Sequence, residues 1–304
     1  MKKNVLISGG TGFIGKQLTT LLLSKGFTVS ILTRTLRPNQ EEVFYYKWDV
    51  ENQTIDEQAV LRTDYIIHLA GENIAEKRWT AKRKAAIIES REQSTLLLYT
   101  TLKKHNKKLE AFISASAVGI YGAINGEQIC EETMIPENDF LGYTCQKWEE
   151  AIDFIENRNI RTVKLRTGLV LGKNDGVLNK LATVFKLRLG SVLGTGKQYM
   201  PWIHVDDLCQ MYYHAIKTES MNGAYNAAIQ DNTTNAIFSQ TLACVYGYSI
   251  WLPNVPTFVL ELFMGEMSKI VLTGRRISSK KIEQTGFQFQ FKNLEGALRN
   301  CLTK

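Results

Sequence analysis

The stretch Asn4 to Leu23, NVLISGGTGFIGKQLTTLLL, constrains the chain more than any other. Val5, Leu6 and Ile7 form a short apolar run, the pattern of a strand buried on both faces. Glycines follow at once, and Leu18, Leu21 and Leu22 then recur at helical spacing. Gly9, Gly12 and Gly15 fall in a GxxGxxG pattern. A strand, a glycine turn and a helix in that order form a cradle for a dinucleotide. The first glycines let backbone approach a pyrophosphate, the last lets the helix lie close to the strand, and the helix N-terminus faces the phosphate charge. Gly9, Thr11, Gly12, Phe13, Ile14 and Gly15 are therefore candidate cofactor-binding residues. A plain strand-to-helix turn needs one glycine, not four.

A chain of 304 residues with 44% hydrophobic and 22% charged residues can bury a large core. Lys plus Arg exceed Asp plus Glu by 37 − 30 = 7. The basic residues are scattered, so the excess suits a pocket for an anionic cofactor or substrate better than a nucleic-acid face. The five cysteines are well separated, with no CxxC and no metal-ligand spacing, and read as free buried thiols. No signal peptide or membrane-length apolar run is visible. The expectation is a cytoplasmic protein that takes a small-molecule substrate and binds neither nucleic acid nor membrane, with a homodimer as one option and the oligomeric state left open.

Thr28 to Thr33 reads as the second strand and is followed by Arg34. In a dinucleotide fold this strand end meets the adenosine ribose, where an acid accepts from a free 2′-hydroxyl and an arginine receives a 2′-phosphate. Thr33 and Arg34 stand there with no acid, so NADP(H) is expected over NAD(H). Phe44 to Trp48 reads as the third strand. Asp49 at its end is placed either to meet the adenine amino group or to cap the next turn. Asp64 to Ala70 is a fourth strand; His68 near its end reads as a hydrogen-bonded structural histidine rather than a catalytic one. Thr80 caps a long helix to about His105. Ala111 to Ser114 is the fifth strand, running into SASAVGIYG (114–122), where small hydroxyl residues end a strand as sites in such folds do.

Asp139 to Asn157 reads as a helix with Trp148, Ile152 and Ile155 as its buried stripe. Tyr143 and Lys147 are four apart on one face, and a lysine beside a tyrosine favours phenolate. Ile160 to Arg166 is the sixth strand. Beyond it the pattern predicts a helix over Leu178 to Leu187, then one over Leu208 to Lys217 capped by Asp206 or Asp207. An apolar helix over Phe258 to Leu272, a short helix capped by Ser278 or Ser279, an alternating strand through Phe287, Phe289 and Phe291, and a last helix capped by Asn293 complete the reading.

These residues resemble the extended short-chain dehydrogenases/reductases of the epimerase/dehydratase branch. The motifs are SGGTGFIG (8–15), HLAG (68–71), SASAVGIYG (114–122), YTCQK (143–147), LRTGLVLG (165–172) and WIHVDDL (202–208). GENIAEKRWT (71–80), DFLGYTCQKWE (139–149) and the block from about Val255 to Leu302 are similar to an atypical subgroup of NAD(P)-binding sugar-nucleotide epimerases with its own small C-terminal domain. The resemblance implies an α/β fold, a Rossmann doubly wound parallel sheet with a smaller C-terminal α+β substrate domain. Residues 1–170 would bind NADP, with a return at about 200–217, and 171–304 would form the partly interleaved smaller domain. It implies further cofactor contacts from Leu69, Ala70, Gly71, Ser114, Lys147 and Arg166. Tyr143 would be the acid/base, Lys147 would lower its pKa, and Ser116, or Ser114 if the register slips, would donate to the substrate oxygen. The activity implied is an epimerase or reductase acting on a hydroxyl or carbonyl carbon. The alternative is a non-catalytic sensor of NADP(H).

Overall fold

The computed structural model describes residues 2–173 and 176–302. Its strands are β1 (Asn4–Ser8), β2 (Thr28–Thr33), β3 (Val43–Asp49), β4 (Thr54–Ile55), β5 (Tyr65–His68), β6 (Ala111–Ala117), β7 (Gly126–Cys130), β8 (Thr162–Thr167), β9 (Leu169–Leu171), β10 (Trp202–His204), β11 (Gly223–Ala227) and β12 (Arg275–Ile277). The helices are α1 (Phe13–Ser24), α2 (Glu57–Leu61), α3 (Ala81–Lys104), α4 (Phe140–Glu156), α5 (Gly176–Lys186), α6 (Val205–Lys217), α7 (Asn235–Val245), α8 (Thr257–Met264), α9 (Lys269–Leu272), α10 (Lys280–Gln284) and α11 (Leu294–Leu302).

Eight strands form one sheet in the order β11-β8-β6-β5-β1-β2-β3-β4. Every pairing is parallel except β3 with β4. From β1 the chain winds outward through β2 and β3, then returns to the other side of β1 for β5, β6, β8 and β11. The reversal lies between β1 and β5, and a ligand crevice opens at the carboxyl ends of strands where the winding reverses.

Alternate residues of each strand serve opposite faces. Val5, Ile7, Ile67, Ile113 and Val163 pack under α1 and α6, in one core that continues to Phe287, Leu294, Leu298 and Cys301. Leu6, Ile66 and Phe112 pack on the other face with Leu98 of α3 and Trp148 and Ile152 of α4. His68 and Ser116 share the parity of Ile66 and Phe112, so both point toward α3 and α4. Among the described residues no helix is long and apolar enough to cross a membrane.

Several local expectations need correction. Helix α6 begins at Val205, three residues early, because His204 Nδ1 accepts Asp206 N–H at 3.2 Å and caps it. Asp207 turns away, accepting Gln290 N–H at 2.7 Å and Phe291 N–H at 2.9 Å. Those bonds explain why the Phe287–Phe291 alternation makes no strand: its amides meet a carboxylate rather than a ladder. Phe287 and Phe289 are buried all the same. The expected helix Phe258 to Leu272 is broken at Gly265, which takes a φ of 61° between α8 and a 3-10 turn. Strand β11 extends the sheet where no strand was read. Four cysteines are buried and free, but Cys244 is exposed.

Candidate functional site

The glycine turn follows β1 at the point where the winding reverses. Gly9 takes a φ of +73°, in the left-handed region, and a Cβ there would lie 3.1 Å from Ala70 N. A Cβ on Gly15 would lie 2.4 Å from Gly9 O, so only glycine lets α1 come this close. No side chain caps α1, and its first turn holds no acidic residue. Its leading N–H groups and partial positive charge therefore suit an anion. Phe13 packs against the place where a Gly172 side chain would stand, and Ile14 O is 3.9 Å from Cys209 Sγ. Thr11 is half-buried and Gly12 exposed at the mouth of the turn.

The wall opposite is the segment after β5. Ser8 Oγ accepts Leu69 N–H at 3.2 Å and Ala70 N–H at 3.3 Å, and bonds His68 Nδ1 at 2.6 Å. Ser94 and Thr95 hydroxyls meet His68 Nε2 at 3.2 and 3.1 Å. His68 is fully buried, and burial, with Arg91 nearby, holds its pKa down to about 3. It is a neutral bracket between β1, β5 and α3.

At the next strand end Thr33 forms a local turn, its hydroxyl donating to Thr35 O at 2.9 Å. Arg34 is exposed and makes no hydrogen bond or ion pair among the described residues. Asp49 caps its turn, accepting Asn52 N–H at 3.1 Å and Asn52 Nδ2 at 2.9 Å, and these bonds lower its pKa. An uncapped helix end, glycines that a side chain would fill and an unpaired arginine beside the second strand together fit a dinucleotide bearing an extra phosphate.

Ser116, Tyr143 and Lys147 are not brought together. The indole of Trp148 and the side chains of Ile152 and Ile155 are buried against the sheet. Tyr143 precedes Ile152 by nine residues, about two and a half turns, and so lies on the opposite side of α4. It is 43% exposed. Lys147 sits beside it, Nζ 5.6 Å from its ring centroid, and pairs with Glu150 at 2.8 Å. The α4 residues at the strand ends are Leu141 and Cys145, whose side chains would lie 3.5 and 3.6 Å from a Cβ on Gly119. Burial pushes the Cys145 thiol up to about 12, so it stays neutral.

Ser116 is buried and donates to Glu149 Oε1 at 2.6 Å. Arg166 grips the same carboxylate through Nε at 2.9 Å and Nη2 at 2.8 Å, and also donates to Tyr121 Oη and Glu132 O. Tyr121 in turn donates to Asn226 Oδ1 at 2.7 Å. Burial disfavours the Arg166 charge, but Glu149 more than offsets this and raises its pKa. Arg166 is thus a structural cation, and its expected cofactor contact has no free fork to make it. Ser114 is also buried, donating to Ala115 O at 2.9 Å. Glu149, Tyr121 and Asn226 were missed as partners. Extending the Trp148–Ile152–Ile155 stripe back to Cys145 and Leu141 was the signal that would have put Tyr143 outside.

The model of the NAD-dependent epimerase/dehydratase family matches residues 5–228, and that of DUF1731, a domain of unknown function, matches residues 255–301. The chain is 37% identical over 300 residues to the epimerase family protein YfhF of Bacillus subtilis (strain 168), covering 98% of each. It is 31% identical over 300 residues to the epimerase family protein SDR39U1 of Homo sapiens, covering 98% of this chain and 99% of that one. The crystal structure of human SDR39U1 (isoform 2) with NADPH matches with a TM-score of 0.87 at 29% identity, over 98% of both chains. The chain belongs to the NAD-dependent epimerase/dehydratase family and carries a DUF1731 domain over residues 255–301.

Proposed function

We propose that the chain binds NADP(H) in the glycine cradle and exchanges hydride with a hydroxyl or carbonyl carbon of a small polar substrate, as an epimerase or reductase. The observation that carries this reading is the uncapped N-terminus of α1 above Gly9 and Gly15, with unpaired Arg34 at the neighbouring strand end. The NADPH held by human SDR39U1, similar over its whole length, supports the same cofactor here. When bound, the nicotinamide supplies hydride transfer at its C4. The α1 N–H groups hold the diphosphate, Arg34 receives the 2′-phosphate, and Leu69 to Gly71 form the facing wall. Ser116 already donates its proton to Glu149, so its oxygen is left to accept from a substrate hydroxyl.

A second reading, a sensor of NADP(H) without turnover, is favoured by the outward placement of Tyr143 and Lys147. Calorimetry with NADPH and NADH tests the shared first step; equal affinity, or none, overturns the cofactor assignment. A panel of sugar nucleotides and small carbonyl compounds, assayed for NADPH oxidation and for epimerised product, separates the two readings. In the enzyme reading Tyr143→Phe keeps both NADPH affinity and turnover. A loss of turnover of about two to four orders of magnitude would return Tyr143 to the chemistry as acid/base.

A further inference from the structure

Arg91 lies behind the wall of the cradle. A Cβ on Gly71 would stand 3.3 Å from its Cγ and 3.3 Å from its Cζ, so the side chain runs flat beneath that residue. Gly71 follows Leu69 and Ala70, whose backbone faces Gly9 at about the closest approach the turn allows: 3.1 Å from a Gly9 Cβ to either one. The guanidinium therefore lies against the wall residue next to the one that faces Gly9.

Among the described residues its guanidinium makes no direct ion pair; the Glu72 carboxylate acts on it only from a distance. Nη1 donates to Ile87 O at 2.9 Å and Nη2 to Glu72 O at 3.0 Å, both neutral carbonyls. The Glu72 carboxylate is taken by Arg83 at 2.8 Å. On the other side the guanidinium lies 5.0 Å from the Trp148 ring centroid, and the nearby Cys145 thiol is neutral. Among the described residues no carboxylate pairs with Arg91. A guanidinium carries five donors, and two are accounted for by these carbonyls. Arg91 is part-buried and holds donors that these carbonyls do not use, and a bound phosphate would supply both a nearer opposite charge and acceptors for them.

We propose that Arg91 is the cationic contact for a phosphate oxygen bound beside the glycine turn. This rests on the reading that the turn holds a dinucleotide. The phosphate belongs either to the dinucleotide's own diphosphate or to a diphosphate on the substrate, and the two sources are separable.

Calorimetry on the full chain uses NADPH as one probe and uridine diphosphate, added to NADPH-saturated protein, as the other. Arg91→Gln should weaken one of them about ten- to a hundredfold, with Arg91→Lys in between, because lysine keeps the charge but loses the fork. The affected probe should also lose part of its salt dependence. A loss confined to NADPH assigns the cofactor diphosphate; a loss confined to uridine diphosphate assigns the substrate. Gly71→Ala, which presses a methyl group on Arg91, should weaken the same probe several-fold, and it serves if Arg91→Gln does not fold. Unchanged affinity for both probes in folded variants makes Arg91 purely structural and overturns the proposal. Should the unmodified protein bind no NADPH, the parent reading falls, a result distinct from normal NADPH binding by Arg91→Gln.

Discussion

Ser116 and Arg166 are register partners on β6 and β8, and both bind one oxygen of Glu149, at 2.6 and 2.9 Å. One carboxylate from α4 thus ties two adjacent strands at the carboxyl edge of the sheet. Glu149→Gln leaves the Arg166 charge without its partner and should cost about 3–5 kcal/mol. Ser116→Ala removes one hydrogen bond to a charged group and should cost about 1.5–3 kcal/mol. Urea midpoints measure both. A Ser116→Ala protein as stable as the parent would mean that the hydroxyl is free for a ligand rather than held by Glu149.

Arg34 is exposed and unpaired, so its removal should cost the fold little and the cofactor much. Arg34→Ala should weaken NADPH binding by about ten- to a hundredfold, the worth of a charge-assisted contact, and leave NADH binding nearly unchanged. Paired calorimetric titrations read the ratio. A ratio unmoved by the substitution would place the 2′-phosphate elsewhere.

Two glycines of the same turn should behave differently. Gly12 has φ −79° and ψ −178°, ordinary for any residue, and its Cβ would meet only Gly9 O, at 3.3 Å. Gly12→Val should therefore fold, yet lose NADPH affinity by about tenfold or more, roughly 1.4 kcal/mol, as a branched side chain enters the mouth. Gly9→Ala should lower stability by about 1–2 kcal/mol, because its left-handed φ of +73° resists a Cβ. Circular dichroism and NADPH fluorescence on each variant decide the matter.

His68 makes stability depend on pH. In the fold burial and Arg91 hold its pKa near about 3, against an ordinary 6.5 in the unfolded chain. Its contribution is complete above pH 6.5 and is lost as pH falls from there toward 3, since only the unfolded chain takes up the proton. At about 1.4 kcal/mol per unit, the loss reaches about 2 kcal/mol near pH 5. His68→Asn should be less stable at neutral pH, having lost ring bonds to Ser8, Ser94 and Thr95, but should show a smaller drop between pH 7 and 5. Urea melts at the two values measure the difference, and an equal drop in both proteins would mean that His68 is not the group responsible.

The glycine turn, the β2 boundaries and the Thr80 cap were all legible in the sequence, because each is set by residues within a turn or two of chain. Gly9 and Gly15 signal a close approach whatever surrounds them, and Arg34 follows β2 by chain order alone. The roles of Ser116, Arg166 and Tyr143 were not legible in the same way. Each depends on how α4 is rotated about its own axis, and that rotation is chosen by packing: Trp148 and Ile152 bury against the sheet, and Glu149 meets Ser116 and Arg166 from two strands. Four-residue spacing places Tyr143 and Lys147 on one face of a helix but does not say which way the face turns. The sequence alone determined where the glycine turn between β1 and α1 lies, since backbone conformation there is local. Only the tertiary structure decided which side chains look into it, since burying the apolar stripe of α4 and pairing its one buried carboxylate leave the helix a single orientation.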